Sequence, residues 1–248
     1  MSLLSPDIRI ALTPGLVAVA ASRLYREAQV AEGGDALAVL GDLLGSLQLR
    51  GRARVVLSHE LARVWLLPAP AVRLSAGEMK GWVHEHLKKQ FGDAVEDWRS
   101  VWQPAPPGQP VLTGAIEAGW LAALQQTLSQ HGLKPVAVEP WLAPACLRLP
   151  AALGRGAVWL ALAEPGRITL ARLEQGVFRV LRSSRISGDP ATALAGMVAR
   201  ESLRADLDDQ SPVWLESVQI QGDWRGNGGL DVRRAASAQS GLAPMLGG

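Results

Sequence analysis

The chain has 248 residues, of which 48% are hydrophobic and 19% are charged, and its formal net charge is only +2. This composition is typical of a folded globular protein and excludes an intrinsically disordered one. The basic residues are scattered and accompany no aromatic RNA-binding motif, which argues against a nucleic-acid partner.

Cys146 is the single cysteine, so an intrachain disulfide is excluded. The N-terminus lacks the basic start and the apolar run of a signal peptide. No apolar stretch reaches the roughly 20 residues that span a bilayer. We therefore expect a soluble protein in a reducing compartment.

In chain order, alternating hydrophobicity first predicts three strands, at residues 8–13, 16–22 and 24–31. A helix at residues 35–49 follows, with Asp35 as its N-cap. In the strands, apolar residues occupy every second position, which is typical of a sheet with one face in a hydrophobic core.

The middle of the chain predicts five further strands and three further helices. One helix begins at the capping box of Ser75 and Glu78. Another opens after Pro140 and buries Cys146 as a small hydrophobic residue. The proline-rich segment 103–110 is a surface loop between two strands. The predicted strands are residues 53–58, 63–67, 98–102, 111–116 and 134–138, the capping-box helix is residues 75–91, and the third helix is residues 118–130.

Past the middle, the order of the first elements recurs. The repeated elements are three strands at residues 157–163, 167–173 and 176–185 and a helix at 190–203, and they are followed by predicted strands at 215–221 and 230–234. The repetition predicts two related lobes, residues 1–150 and 151–234, followed by a disordered tail at residues 235–248.

The first hairpin of each half carries a Pro-Gly turn, Thr13-Pro14-Gly15 in one and Glu164-Pro165-Gly166 in the other. Pro presets φ at the first turn position and Gly tolerates positive φ at the next. Both segments are therefore predicted as tight hairpin turns.

No combination of polar residues predicts catalysis or metal binding. Ser58, His59 and Glu60 are adjacent on an extended segment and point in alternating directions, which excludes a hydrolase relay. His84 and His86 lie about 200° apart around a helix axis and cannot bind one metal ion.

The acidic run Asp206-Leu207-Asp208-Asp209 lacks the Gly and the terminal Glu of a calcium loop and predicts a solvated turn. Most of the nine tryptophans are predicted as core or rim residues, while a few are candidate anchors for a partner protein. These candidate anchors are Trp98, Trp102, Trp141 and Trp224.

Three short, largely apolar stretches stand out. They are Val55-Val56-Leu57-Ser58-His59 with Arg63-Val64-Trp65-Leu66-Leu67-Pro68, Phe91-Gly92-Asp93 with Trp98 downstream, and Val138-Glu139-Pro140-Trp141-Leu142-Ala143. With the element order, they resemble the actin-like family, a duplicated ribonuclease-H-like fold, in its branch of PilM-type pilus proteins and GspL-type secretion domains. The resemblance covers residues 8–234. It implies an α/β fold with two lobes, each a mixed sheet in which a three-stranded meander is followed by a helix.

ATP-binding members of that family carry an Asp-x-Gly hairpin at the start of each lobe. Here Thr13 and Gly15 hold the corresponding positions in the first half, and Glu164 and Gly166 hold them in the second. A proline stands between each pair. The resemblance therefore implies degenerate phosphate loops, no bound cofactor and no ATPase activity, and Gly228-Gly229 is followed by too short a segment to complete an adenosine pocket.

The resemblance implies a non-catalytic cytoplasmic adaptor of a type IV pilus or type II secretion inner-membrane platform. Its expected partner is a bitopic membrane protein whose short cytoplasmic segment lies in a groove on the first lobe. The secretion ATPase and a second copy of the chain stay open as further partners. Because no membrane helix is predicted, we favour the PilM-like arrangement, in which the partner holds the protein at the inner face of the bacterial inner membrane.

Two alternatives stay open. The first is an active actin-like ATPase or sugar kinase that binds ATP in the cleft between the lobes. The second is a ribonuclease-H-like nuclease, which needs three or four carboxylates at strand ends to hold two metal ions. For that role the relevant strands offer only Asp7 and Glu164.

Overall fold

The structure, a computed structural model, describes residues 8–154, 156–205, 210–220, 224, 230–234 and 241–246. The chain divides into two compact units, Met1–Trp141 and Leu142–Gly248. The sequence placed this boundary after residue 150. A boundary after Trp141 is consistent with the contacts of the helix Leu142–Arg148, because Arg148 binds Glu216, a strand residue of the second unit.

The first unit contains one five-stranded and one three-stranded sheet. The five-stranded sheet has the order β3-β2-β1-β4-β8, and the three-stranded sheet has the order β5-β7-β6. The elements are β1 Ile8–Leu12, β2 Leu16–Ala21, β3 Leu24–Gln29, α1 Ala36–Leu47, β4 Gly51–Leu57, β5 Arg63–Leu67, α2 Ala76–Phe91, a 3-10 helix Gly92–Asp97, β6 Trp98–Trp102, β7 Val111–Glu117, α3 Ala118–Gln130 and β8 Leu133–Pro140.

The five-stranded sheet is covered on one face by α1 and α3. The predicted alternation is confirmed, because Ile8, Ile10 and Leu12 are fully buried on that face, in the same cluster as Leu40 of α1 and Leu124 of α3. Burying a side chain of this size contributes roughly 1.5 to 3 kcal/mol. Capping residues set the positions of the helices locally, in addition to this packing.

Helix starts lie where the capping residues predict them. The carboxylate of Asp35 accepts a hydrogen bond from the backbone N–H of Leu37 at 2.8 Å, which satisfies one free donor of α1. Ser75 and Glu78 form the predicted capping box at the start of α2. The helix predicted after Pro140 begins slightly later, because β8 runs through Pro140.

The three-stranded sheet is covered by α2 on one face. Its core consists of Leu67, Val83, Leu87, Val95 and Val111. Around this core, Trp65 stacks on Trp98 with ring centroids 5.7 Å apart. Strand alternation turns the other side chains of β5, β6 and β7 away from α2, and that second face borders the site described below.

The second unit repeats the arrangement of the first five-stranded sheet. Its strand order is β11-β10-β9-β12-β13, which has the same connectivity as β3-β2-β1-β4-β8. The elements are α4 Leu142–Arg148, α5 Ala151–Gly154, β9 Ala157–Glu164, β10 Arg167–Glu174, β11 Val177–Arg185, α6 Pro190–Arg204, β12 Val213–Ser217, β13 Val232–Arg234 and α7 Ala243–Leu246. This shared order confirms the predicted duplication.

The duplication extends to single hydrogen bonds. The N–H of Val30 donates to the carbonyl of Gly15 at 3.0 Å, and the N–H of Ile186 donates to the carbonyl of Gly166 at 2.9 Å. Each bond ties the residue that follows the third strand to the first turn. A second matching pair joins Ser58 to Leu12 and Val218 to Ala163. Equivalent backbone bonds in sequences this different indicate a shared fold in the two halves.

The predicted disordered tail is wrong for residues 241–246. Leu242 and Met245 are fully buried, and Ala243–Leu246 form the short helix α7. Buried apolar side chains order this segment, although its neighbouring residues carry the Gly, Ser and Ala composition of a tail. Within the described ranges, none of the helices combines the length and the apolar character needed to cross a membrane.

Candidate functional site

The first Pro-Gly turn is held together by a side chain. The Thr13 hydroxyl accepts a hydrogen bond from the Leu16 N–H at 2.9 Å and donates to the Leu16 carbonyl at 3.1 Å. Thr13 is only 3% exposed. Its hydroxyl therefore closes the hairpin, and both of its bonding directions are used within the turn.

The two turns differ in backbone geometry. Gly166 has φ +69°, as predicted for a Pro-Gly turn, whereas Gly15 does not adopt positive φ. The prediction of positive φ at Gly15 is therefore wrong, because the Thr13 side chain, bound to both backbone groups of Leu16, holds this turn in another form. Glu164 is buried at the equivalent position of the second turn, where β9 pairs Glu164 with Arg167.

The other polar candidates lie apart from one another. His59 is buried and faces the ring of Trp141, with centroids 6.3 Å apart. The His86 ring bonds the carbonyl of Trp82, and His84 lies 3.5 Å from Glu96. Across the described ranges, no group of His, Cys, Asp or Glu has the arrangement of a metal site. Asp206, Asp208, Asp209 and Gly228-Gly229 lie outside the described residues.

Cys146 is partly buried on α4. Burial and, to a smaller extent, the nearby Glu216 carboxylate raise the pKa of its thiol to about 12, against a smaller lowering by Arg148. A thiol with this pKa is almost entirely protonated at neutral pH and is a poor nucleophile. This supports the prediction that Cys146 acts as a small hydrophobic residue.

The first unit contains a groove between its two sheets. Two adjoining depressions of about 130 Å³ and 110 Å³ share Arg63, Ala115 and Ile116, and we call them together the inter-sheet groove. Its other lining residues are Leu57, Glu60, Leu61, Ala62, Trp98, Arg99, Val101, Gly114, Glu117, Trp120, Leu121, Val138, Glu139 and Pro140. Sequence reasoning assigned no groove residues.

One wall of the smaller depression of the inter-sheet groove is the face of the three-stranded sheet that α2 does not cover. In β6 and β7 the register pairs Arg99 with Ile116 and Val101 with Gly114, so these four residues share that face. Val101 is 67% exposed, which is unusual for valine in a strand. Because Gly114 has no side chain, the surface beside Val101 stays open.

The opposite wall comes from the edge of the five-stranded sheet. It includes Val138 and Pro140 of β8, which pairs with β4 on one side only. β6 is likewise the last strand of its sheet. The groove thus has an apolar surface lined by β6 and β8, each of which is the last strand of its sheet in the described structure, an arrangement that suits an extended peptide.

Charges are placed at the borders of the inter-sheet groove. The Arg63 guanidinium lies over the Trp98 ring, 4.7 Å from its centroid. Arg54 and Glu139 form an ion pair at 2.9 Å beside the β8 wall. An apolar centre with charged borders is typical of a protein-interaction surface rather than of a catalytic site.

Comparisons with known proteins agree with this architecture. A PilM–PilN type IV pilus biogenesis complex matches with TM-score 0.68 and 14% identity, over 92% of this chain and 88% of that one. The cytoplasmic domain of EpsL, an inner-membrane component of the Vibrio cholerae type II secretion system, matches with TM-score 0.66 and 12% identity, over 98% and 93%. A Bacteroides thetaiotaomicron protein with an actin-like ATPase fold and unknown function matches with TM-score 0.64 and 12% identity, over 88% and 84%.

No family model and no curated protein sequence matches the chain. The three structural matches therefore show a similarity of fold alone. Together with the strand order repeated in both units, they confirm the prediction from the sequence: the chain has the actin-like fold, with two α/β units.

Proposed function

We propose that this protein is a non-catalytic adaptor of a type IV pilus or type II secretion inner-membrane platform. It would bind a short cytoplasmic segment of a bitopic membrane partner and be held by it at the inner face of the inner membrane. The observation that carries this proposal is the inter-sheet groove, in a fold shared with a pilus biogenesis complex and with a secretion-system domain.

The proposed absence of catalysis is supported by the first hairpin. Thr13 stands where ATP-binding relatives place an aspartate, and its hydroxyl is bonded to Leu16 within the turn. Pro14 has no backbone N–H for a phosphate. On this proposal Thr13, Gly15, Glu164 and Gly166 are remnants of phosphate loops and bind no cofactor.

The groove suits a peptide in extended conformation. The unpaired edges of β6 and β8 offer backbone groups for strand addition, and alternate side chains of the peptide would enter the apolar space beside Val101 and Val138. The secretion ATPase and a second copy of the chain remain further partners within this proposal.

The test uses a synthetic peptide that covers the short cytoplasmic N-terminal segment of a candidate partner, a bitopic membrane protein to be sought among the neighbouring genes. We expect it to bind the full chain, and we expect Val101→Lys to weaken binding about tenfold or more, because a charged side chain would then lie in the apolar centre. Fluorescence anisotropy of the labelled peptide measures the Kd.

Leu203→Lys is the matched control. Leu203 is 83% exposed on α6, so both substitutions place a lysine at an exposed apolar position and leave the core intact. The control should bind the peptide as the unmodified protein does. Equal affinity for the unmodified protein and Val101→Lys would contradict the groove assignment, and no binding by the unmodified protein would contradict the proposed partner.

A further inference from the structure

A second cavity lies on the other side of the three-stranded sheet. It has a volume of about 520 Å³ and lies where α2 begins, between the loop at residues 70–75 and the proline-rich loop at residues 104–109. Trp102 and Val111 line it from the sheet. They lie on the α2 face, opposite Val101, and none of the cavity's lining residues borders the inter-sheet groove. We call this space the loop cavity.

Proline and other apolar residues make up most of the walls of the loop cavity. Four of its lining residues are prolines, which have no backbone N–H. Met79 and Trp102 add flexible and aromatic apolar surface. A ligand would therefore gain affinity here mainly by burying apolar groups.

One positive charge stands at this cavity. Arg73 is the only ionisable residue among the lining residues, it is exposed, and it forms no ion pair within the described part of the chain. The cavity therefore complements an apolar group with a negative charge beside it.

The apolar surface continues beyond the cavity. Val72 is 67% exposed, and Pro104, Pro106 and Pro107 are exposed as well. A small ligand is usually buried over most of its surface in a closed pocket. An exposed apolar border around a half-open cavity instead suits a chain that enters with one or two side chains and continues across the rim.

From these observations we infer that the loop cavity is a docking site for an acidic, apolar peptide segment of a partner protein. One or two aliphatic or aromatic side chains of the segment fill the space beside Trp102, and a neighbouring carboxylate pairs with Arg73. The inference does not depend on the adaptor role, because the two sites share no residue.

The probe is a phage-displayed library of short random peptides, selected on the full chain. We expect the recovered peptides to share apolar residues next to Asp or Glu. For a synthetic copy of a recovered peptide, Arg73→Glu should weaken binding about tenfold in anisotropy measurements, since an attraction becomes a repulsion. Val72→Lys should weaken it as well, while Leu203→Lys should leave it unchanged.

An exchange of charges between the peptide and the protein distinguishes a direct ion pair with Arg73 from unfolding of the Arg73→Glu variant. Replacing the acidic residue of the peptide by lysine should abolish binding to the unmodified protein and restore it to Arg73→Glu. Recovered peptides that bind Arg73→Glu and the unmodified protein alike overturn the inference, and so does a selection that recovers none. Stabilisation by hexanoate through Arg73 without peptide binding would assign the cavity to small carboxylates and would equally overturn it.

Discussion

Single polar residues in this protein act through their immediate neighbours. Thr13 illustrates this, because its hydroxyl forms hydrogen bonds with both backbone groups of Leu16 and so stabilises the turn. The sequence instead predicted a turn that depends on positive φ at Gly15. The sequence alone showed that the first hairpin has Thr13 where a carboxylate would be needed for ATP binding. It did not indicate the bonded hydroxyl, because a Thr side chain bonds its own turn only when the backbone brings the two groups within about 3 Å.

Cys146 gives a prediction at the same scale. Burial raises the pKa of its thiol to about 12, so little thiolate is present at pH 8. Iodoacetamide at this pH should therefore alkylate Cys146 in the folded protein about a hundredfold or more slowly than it alkylates an exposed cysteine. The comparison is Ser46→Cys in a Cys146→Ser background, since Ser46 is exposed on α1. Mass spectrometry follows both rates, and rates within about tenfold of each other would contradict the raised pKa.

The same thiol links stability to pH. Its folded pKa lies above the ordinary value of 9.0, so folding favours the protonated form. The stabilisation is fully present below pH 9 and is lost as pH rises towards 12. The free energy of unfolding should therefore fall more steeply above pH 9 in the unmodified protein than in Cys146→Ser.

At the scale of elements, one ion pair joins α4 to β12. Arg148 donates two hydrogen bonds to the two carboxylate oxygens of Glu216, at 3.0 Å and 2.5 Å. The Glu216 side chain is 1% exposed and that of Arg148 is 27% exposed. A buried carboxylate is stable only when it is paired, so this contact fixes the helix on the strand.

Arg148→Met should therefore lower the free energy of unfolding by about 3 kcal/mol, because it leaves the Glu216 carboxylate buried without its guanidinium partner. The double variant Arg148→Met with Glu216→Leu should recover most of the loss, since apolar residues of similar size replace both charges. Urea denaturation measures both variants. A double variant as unstable as the single one would show that packing, and not charge, makes Arg148 important.

Elements with local signals were predicted well from the sequence. The cap of Asp35 and the capping box of Ser75 and Glu78 both lie at helix starts in the structure. These signals involve residues at most three positions apart, so the sequence contains them completely. The extension of β8 to Pro140 was missed because it depends on pairing with β4, which is distant in the chain.

At the scale of the whole molecule, the duplicated strand order defines the fold. In each unit a meander of three antiparallel strands is joined by a fourth strand that runs parallel to the first, as β4 does with β1 and β12 does with β9. A parallel partner requires a crossover, which α1 and α6 provide. The repeated strand–helix order in the sequence predicted this duplication for that reason.

The proposed loss of nucleotide binding is tested on the whole protein. We expect millimolar Mg·ATP to leave Tm unchanged beyond the effect of tripolyphosphate, which controls for general anion binding. A ligand at about a hundred times its Kd stabilises a protein by about 2.7 kcal/mol, which raises Tm by several degrees. A rise of that size specific to Mg·ATP would favour the ATPase or sugar kinase alternative.

The sequence by itself determined the order of elements, their duplication and the absence of a carboxylate at Thr13, because periodicity, caps and residue identity are properties of neighbouring positions. Only the tertiary structure decided where apolar side chains stay uncovered. Val101 lies in a strand that the sequence predicted and Val72 lies in the segment between β5 and α2, and each is 67% exposed. Exposure depends on which distant segments pack against a residue, and this is fixed when the sheets and loops assemble.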